Sequence, residues 1–341
     1  MTHIKTKLAL GLGLGCSLLL AACGGGGGGG SSTPAPAATT LISSANSQEV
    51  SANGYSAAEG LNSQAGNGSD FVTGVSVKTA SQGWIGVSLS QLYRAIQNRP
   101  TADLAVGVTT SRSLPCPYGG TGNVTATTAS SLNVMAGDRF TISASNCKVD
   151  PSTTLNGSMT IVFEAVSGTP GINSAWNATL VTTLADFTVT EGTQTSSASG
   201  DMTIKLAQSS MQDATIAASG NSLRMGTVQS GTRTEVTMTN YNYKGAVKDS
   251  VLTYSVNFSM SGNLPKLGAV DYTVKTSTDF KQAVTAKYPY QGVMTVTAAD
   301  KSASTLTVID GGNVSVGLDK NGDGSIDEST TTTWTALMAH L

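Results

Sequence analysis

Residues 318–329, Leu-Asp-Lys-Asn-Gly-Asp-Gly-Ser-Ile-Asp-Glu-Ser, crowd three aspartates, an asparagine and two glycines into one polar run. Side chains two apart in a turning loop converge on one centre. Asp319, Asn321 and Asp323 therefore fit positions 1, 3 and 5 of a calcium loop. Gly324 fits position 6, where the chain must turn sharply; Ser325 offers its carbonyl at 7, and Asp327 falls at 9. Position 12 is Thr330 where a bidentate Glu is wanted, and Glu328 comes two residues early. Both flanks read as strands, so this is not an EF-hand helix pair. The cofactor expected here is Ca2+ held weakly, on the order of 10⁻⁴–10⁻³ M, with a role in stiffening the turn. The competing reading is a hairpin connection, because Asn-Gly and Asp-Gly suit positions of positive φ.

Other catalytic chemistry finds little to work with. The two histidines are His3, in the leader, and His340, at the end of the chain, where a mobile tail places it poorly. A Ser-His-Asp or Cys-His system lacks a base, and His/Cys zinc sites lack ligands. There is no G-x-S-x-G elbow, no P-loop and no dinucleotide fingerprint. A glycosidase needs only two carboxylates. Most acids here sit at turns or strand ends; Glu164, within Ile-Val-Phe-Glu-Ala-Val, is the one to watch, and its alternation turns it outward. Trp176 stacks a sugar or fills a core, and core packing is the expectation. The residues read as no enzyme, with a carbohydrate-active hydrolase as the least favoured alternative.

Residues 1–22 have the form of a secretion signal, with Lys5 and Lys7 ahead of an apolar run too short to span a bilayer. Leu20-Ala21-Ala22-Cys23 resembles the lipobox of bacterial lipoproteins. The resemblance implies that Cys23 is acylated with three chains and becomes the mature N-terminus. More than one chain anchors stably, at about 0.8 kcal/mol per buried methylene. Gly24 rather than Asp after that cysteine implies the outer membrane. Seven glycines (24–30) and a Ser/Pro/Ala stretch make residues 23–42 the anchor and tether. The expected partner is outer-membrane lipid, on the periplasmic face or at the cell surface.

Cys16 leaves with the signal and Cys23 takes the lipid, so Cys116 and Cys147 remain. In an oxidising compartment these two are expected to pair. The mature chain carries 17 basic against 21 acidic residues, a net charge of −4. Only 12% of residues are charged and no basic stripe exists, so nucleic acid is not an expected partner.

The elements that must position these residues read as one domain over 43–341, with a helical or mixed part (43–103) and a sheet part (104–341). Val50, Ala57, Ala58 and Leu61 recur at near-helical intervals; Leu89, Leu92, Tyr93 and Ile96 mark a second helix, capped by Ser88 and ended by Pro100. From about residue 104 the period becomes two. Eleven short Thr- and Val-rich runs alternate apolar with polar, between turn signals at Gly137-Asp138, Asn156-Gly157, Ser199-Gly200, Gly231, Gly245, Ser261-Gly262 and Gly311-Gly312. The fold class is mainly β: an antiparallel meander forming a barrel, a sandwich or a strongly curved sheet. Gly-Ser-Met-Thr-Ile (157–161), Gly-Asp-Met-Thr-Ile (200–204) and Gly-Val-Met-Thr-Val (292–296) echo one another as repeated hairpin chemistry. A membrane-spanning barrel is disfavoured, since aromatics are 5% and threonine falls on both faces.

Several of these pieces together resemble a group of proteobacterial outer-membrane lipoproteins without assigned function. They are the Leu-Ala-Ala-Cys and Gly run, Cys-Pro-Tyr-Gly-Gly (116–120), Ala-Gly-Asp-Arg-Phe (136–140), Asn146-Cys147, Asn-Gly-Ser (156–158), and the closing aspartate loop with its Thr run and Trp334. The resemblance implies no active site. It supports Cys116–Cys147 pairing and marks 319–327 as a shared feature. The function expected is a lipid-anchored envelope protein with a structural or ligand-binding role. The alternative is a carrier of an apolar ligand or lipid on the curved sheet.

Overall fold

The computed structural model describes residues 41–73, 109–114, 116–128, 134–168, 175–210, 213–229 and 231–341. Cys23 and the helix expected at 88–100 lie outside these residues.

Among the described residues, one helix, α1 (Ser47–Thr73), precedes fourteen strands. They are β1 (Thr109–Leu114), β2 (Thr121–Thr127), β3 (Arg139–Lys148), β4 (Thr153–Gly168), β5 (Trp176–Glu191), β6 (Gln194–Ser210) and β7 (Asp213–Gln229), followed by β8 (Thr232–Lys248), β9 (Val251–Leu264), β10 (Gly268–Ala283), β11 (Gln291–Ala298), β12 (Ala303–Val308), β13 (Asn313–Asp319) and β14 (Glu328–Thr333). A short helix, α2 (Trp334–Met338), follows, its first turn capped by Thr333 Oγ1, which accepts from Ala336 N at 3.1 Å.

Each strand pairs antiparallel with its sequence neighbour, and among the described residues β1 and β14 pair on one side only. Of the three expected architectures, the curved open sheet is the one found. Alternation explains it. On β9, Tyr254, Val256, Phe258 and Met260 are buried, while the residues between them face outward. On the outer side hydroxyls meet across strands, as in Thr141–Thr160 (3.0 Å), Thr295–Thr305 (3.1 Å) and Ser315–Ser329 (2.9 Å).

Long strands would lose their curvature without breaks, and β-bulges supply them. The buried phase shifts from Ile142 to Cys147 on β3, from Leu184 to Phe187 on β5 and from Met238 to Tyr241 on β8. At each shift one non-glycine residue adopts positive φ: Asn146 (48°), Asp186 (44°) and Asn240 (50°). Asn and Asp tolerate that region best among side-chain-bearing residues. Each bulge adds a residue and strengthens the local twist, which bends the sheet around its apolar side.

Four of the glycine turn signals therefore fall elsewhere than expected: Gly157, Gly200, Gly245 and Gly262 lie inside strands. Gly137, Gly231 and Gly311 do lie between strands. The three echoing segments share one device. Gly157, Gly200 and Gly292 all have positive φ (92°, 138° and 146°), and each lies at or beside an irregularity of pairing. The methionine two residues on is fully buried in every case: Met159, Met202 and Met294. The repeat is thus bulge chemistry within strands rather than hairpin chemistry.

Cys116 and Cys147 form a disulfide, Cα–Cα 5.3 Å, tying the chain before β2 to the bulge of β3. Closing a loop of 31 residues contributes roughly 3–4 kcal/mol in the chain-entropy picture.

Three elements, β1, β7 and α2, were not anticipated, and α1, which was, is longer than its apolar spacing marks. β7 carries Ala, Ser, Gly and Asn where a strand signal was wanted. Its glycine has a reason in packing: the Tyr241 phenol from β8 lies over Gly220 and donates to the Asp201 carbonyl on β6. α1 also runs twelve residues past Leu61, to Thr73, straight through Gly54 and Gly60.

Replacing Gly157 with Ala forces a side chain into positive φ and against the Asp186 carbonyl. Gly157→Ala is expected to lose about 1 kcal/mol or more in denaturant melts, while Gly311→Ala, whose added carbon meets nothing within 4 Å, stays close to wild type.

Candidate functional site

The aspartate run forms the connection between β13 and β14. Asp319, the last residue of β13, is 5% exposed. Its Oδ1 accepts from the backbone N–H groups of Asn321 (3.2 Å) and Gly322 (2.7 Å), and its Oδ2 from Gly324 (2.8 Å). Asn321 Oδ1 accepts from Asp323 N (3.0 Å), Asp323 Oδ1 from Ser325 N (2.7 Å), and Asp327 Oδ2 from Lys320 N (2.8 Å). Gly322 and Gly324 take positive φ, 73° and 88°, the turn that the spacing required. The Ser325 N–H holds the Asp323 carboxyl below its ordinary pKa, and the Lys320 ammonium does the same for Glu328.

The loop therefore has the backbone of a tight hairpin connection, built by its own carboxylates. Each carboxylate keeps lone pairs beyond those spent on N–H groups. Among the described residues no three carboxylate, imidazole or thiolate side chains are grouped to hold a metal. A cation here would draw on the Asn321 amide and the Ser325 carbonyl as well as on Asp319, Asp323 and Asp327.

A second cluster lies under α1. The helix touches β6, β7, β8, β11, β12, β13 and α2, with Val50, Ala58 and Leu61 fully buried against the sheet. Gly54 lets it come close: a β-carbon there would meet Val296 Cγ2 at 2.6 Å. Beside this apolar stripe runs a polar one, Ser51, Tyr55, Glu59 and Asn62, at the spacing of one helix face. Ser51 Oγ and Ser304 Oγ are 2.7 Å apart and fully buried. Tyr254 donates its hydroxyl to Glu59 Oε1, and Tyr243 donates to Asn62 Oδ1 at 2.7 Å. The rings continue as a row: Tyr243 on Tyr254 (6.3 Å), Tyr254 on Phe280 (5.1 Å), Phe280 on Tyr55 (5.7 Å), Tyr55 on Trp334 (4.5 Å) and Trp334 on Tyr288 (5.2 Å).

Burial around the Glu59 carboxyl raises its pKa above the ordinary 4.5, against the opposing pull of hydrogen bonds with Tyr254, Asn62 and Tyr55. The Tyr55 and Tyr254 hydroxyls are pushed well above 10, first by burial and then by the Glu59 charge. This cluster was not expected from the sequence. Its signal was present, as polar residues at i, i+4, i+8 and i+11 beside an apolar stripe of the same spacing. Polar residues beside such a stripe read by default as solvent-facing.

The remaining candidates stay apart. Glu164 is exposed at the Phe163/Ala165 register shift of β4. Trp176 is 2% exposed at the start of β5, packed as a core residue. His340 is held, not loose: its Nδ1 is 3.9 Å from Glu49 Oε1, and its carbonyl accepts from Lys266 Nζ at 2.9 Å. The chain matches no family model, no curated protein and no solved structure.

A carboxyl with a raised pKa keeps its proton in the folded state after the unfolded chain has lost it. Its contribution to stability is complete below 4.5 and is lost as pH rises through the raised value. Glu59→Gln, which mimics the protonated form, is expected to match wild type at acid pH and to melt higher at neutral pH. Melting curves across that range check this; equal pH slopes for both proteins refute it.

Proposed function

We propose that the protein is a lipid-anchored component of the cell envelope, fixed to the outer membrane through acylated Cys23, with a structural or ligand-binding role. The observation that carries this reading is the run from Leu20 to Gly30: a lipobox-like Leu-Ala-Ala-Cys passing directly into seven glycines. The Cys116–Cys147 bond supports it, because such bonds persist in oxidising compartments. The Gly and Ser/Pro/Ala composition after Cys23 supports a tether there. Cells fed radiolabelled palmitate should label the wild-type protein, and Cys23→Ala should abolish the label. Absence of label in wild type would defeat the anchor.

The ligand-binding half of the role falls on the apolar inner face of the sheet, as a carrier of an apolar ligand. It is favoured over a hydrolase, because the watched acid, Glu164, is a solvent-exposed residue of β4. The reading also includes weak Ca2+ binding by Asp319, Asn321, Asp323, Ser325 and Asp327. What supports it is that Asp319, Asn321, Asp323 and Asp327 all place side-chain oxygens on the backbone of this turn. Calorimetric titration of the full chain with calcium is expected to give heat in wild type and none in Asp319→Ala/Asp323→Ala. No heat in either at millimolar calcium would reduce the loop to a turn.

A further inference from the structure

Asn-Gly pairs occur along the chain at 53–54, 67–68, 156–157 and 321–322. Such a pair matters chemically because glycine has no β-carbon to shield its own nitrogen. That nitrogen can therefore attack the side-chain carbonyl carbon of the asparagine before it, provided the two atoms are brought into near contact. Regular backbone prevents the approach. Asn53 and Asn67 lie in α1, where each N–H group is aimed at the carbonyl four residues earlier. Asn156 lies in β4, with Gly157 in register opposite Ala144 and its own Oδ1 accepting from Asn146 N at 2.7 Å. Of these asparagines Asn321 alone stands in a connection between elements, and it is exposed.

What holds Asn321 and Gly322 in place is the loop's own carboxylates. The Gly322 N–H, which carries the attacking nitrogen, donates to Asp319 Oδ1 at 2.7 Å. The target amide is tied at both ends to Asp323: Asn321 Oδ1 accepts from Asp323 N at 3.0 Å, and Asn321 Nδ2 donates to Asp323 Oδ2 at 3.1 Å. Hydrogen bonds to an ionised oxygen are the stronger kind. Asp319 is 5% exposed at the end of β13, so its hold on Gly322 is built into the sheet, whereas Asp323 is exposed in the loop itself.

We propose that Asn321 is a site of spontaneous deamidation and that Asp319 is the residue that restrains it. In the reaction the Gly322 nitrogen gives its proton to hydroxide and attacks Cγ of Asn321. The N–Cγ bond forms, the Cγ–Nδ2 bond breaks, and Nδ2 leaves as ammonia with a proton taken from water. Water then opens the five-membered imide at either carbonyl, leaving an aspartyl or an isoaspartyl residue at 321. The net change is asparagine plus water to acid plus ammonia, so no oxidant, metal or second enzyme enters. Either product adds a negative charge to the loop that already holds Asp319, Asp323 and Asp327. The isoaspartyl form also routes the chain through the side chain, which lengthens the backbone by one carbon just where Asp319 binds it.

The full chain is aged at neutral pH, well below its melting temperature, beside a synthetic peptide of residues 317–326, and both are mapped by mass spectrometry. Trypsin cuts after Lys320 and releases 321–341, which isolates the pair. Asn321 is expected to convert before Asn53, Asn67 and Asn156, yet at least about tenfold more slowly than in the peptide. Asp319→Asn keeps the shape of the side chain with a neutral acceptor and is expected to convert faster than wild type. Asp319→Ala is expected to approach the rate of the peptide, and Asn321→Gln to stay unmodified. Melting curves check the fold of each variant; where Asp319→Ala does not fold, Asp319→Asn decides. Conversion of Asn53, Asn67 or Asn156 ahead of Asn321 overturns the site. A wild-type rate equal to that of the peptide, or one unchanged in the Asp319 variants, overturns the restraint.

Discussion

The docking of α1 on the inner face of the sheet is the contact on which the rest of the structure depends. Fourteen strands in sequence order that do not close into a barrel leave their apolar side to be covered by something other than strands. Among the described residues, the cover over β6–β8 and β11–β13 is one helix, and the C-terminal turn of chain is folded against it. Tyr55 meets Trp334, and Glu49 lies near His340, so α2 is placed by the helix as much as by β14. Removing α1 would open the aromatic row, the Ser51–Ser304 contact and the seat of α2 together.

Curvature is the second constraint, and it is met by bulges rather than by glycine kinks alone. Asn146, Asp186 and Asn240 each insert a positive-φ residue, and the buried alternation resumes one step out of phase beyond it. A strict period of two carried through β5 would have turned Phe187 and Val189 to the solvent. The bulge after Leu184 returns both to the core, at 0% and 5% exposure.

This is also where the sequence was legible and where it was not. Alternation in β9 and β11, and in β10 as far as Thr276, is regular, because those stretches meet water on one face and core on the other, and it was readable. β7 was missed because its inner side makes room: Gly220 lies beneath the Tyr241 ring, and Met225 beneath Gly60. A strand that packs by yielding space carries no hydrophobic signature. Glycines 157, 200 and 262 were mistaken for turns for a related reason, since positive φ and close backbone approach serve a bulge as well as a hairpin. The aspartate loop was legible as a turn with its sharpest points at Gly322 and Gly324, because carboxylates two apart bind the backbone of their own loop whatever else they hold. The Glu59 cluster was illegible, since nothing local distinguishes a buried polar stripe from a solvated one; Tyr243 and Tyr254, which make the difference, are about 180 and 195 residues away.

A half-buried carboxylate on a helix this rich in glycine needs a physical reason, because an apolar side chain of similar size at position 59 would avoid the desolvation that raises its pKa. The small-residue face supplies one. Ala52, Gly54, Ala57 and Ala58 fit the sheet closely but carry little shape to say where along the groove, or at what rotation, the helix stops. Hydrogen bonds are directional where apolar contacts are not. Ser51 to Ser304, Glu59 to Tyr254 and Asn62 to Tyr243 pin three points along one face, and slipping by one turn would leave all three groups unpaired in the interior. Stability is given up at Glu59, and one docked position is gained.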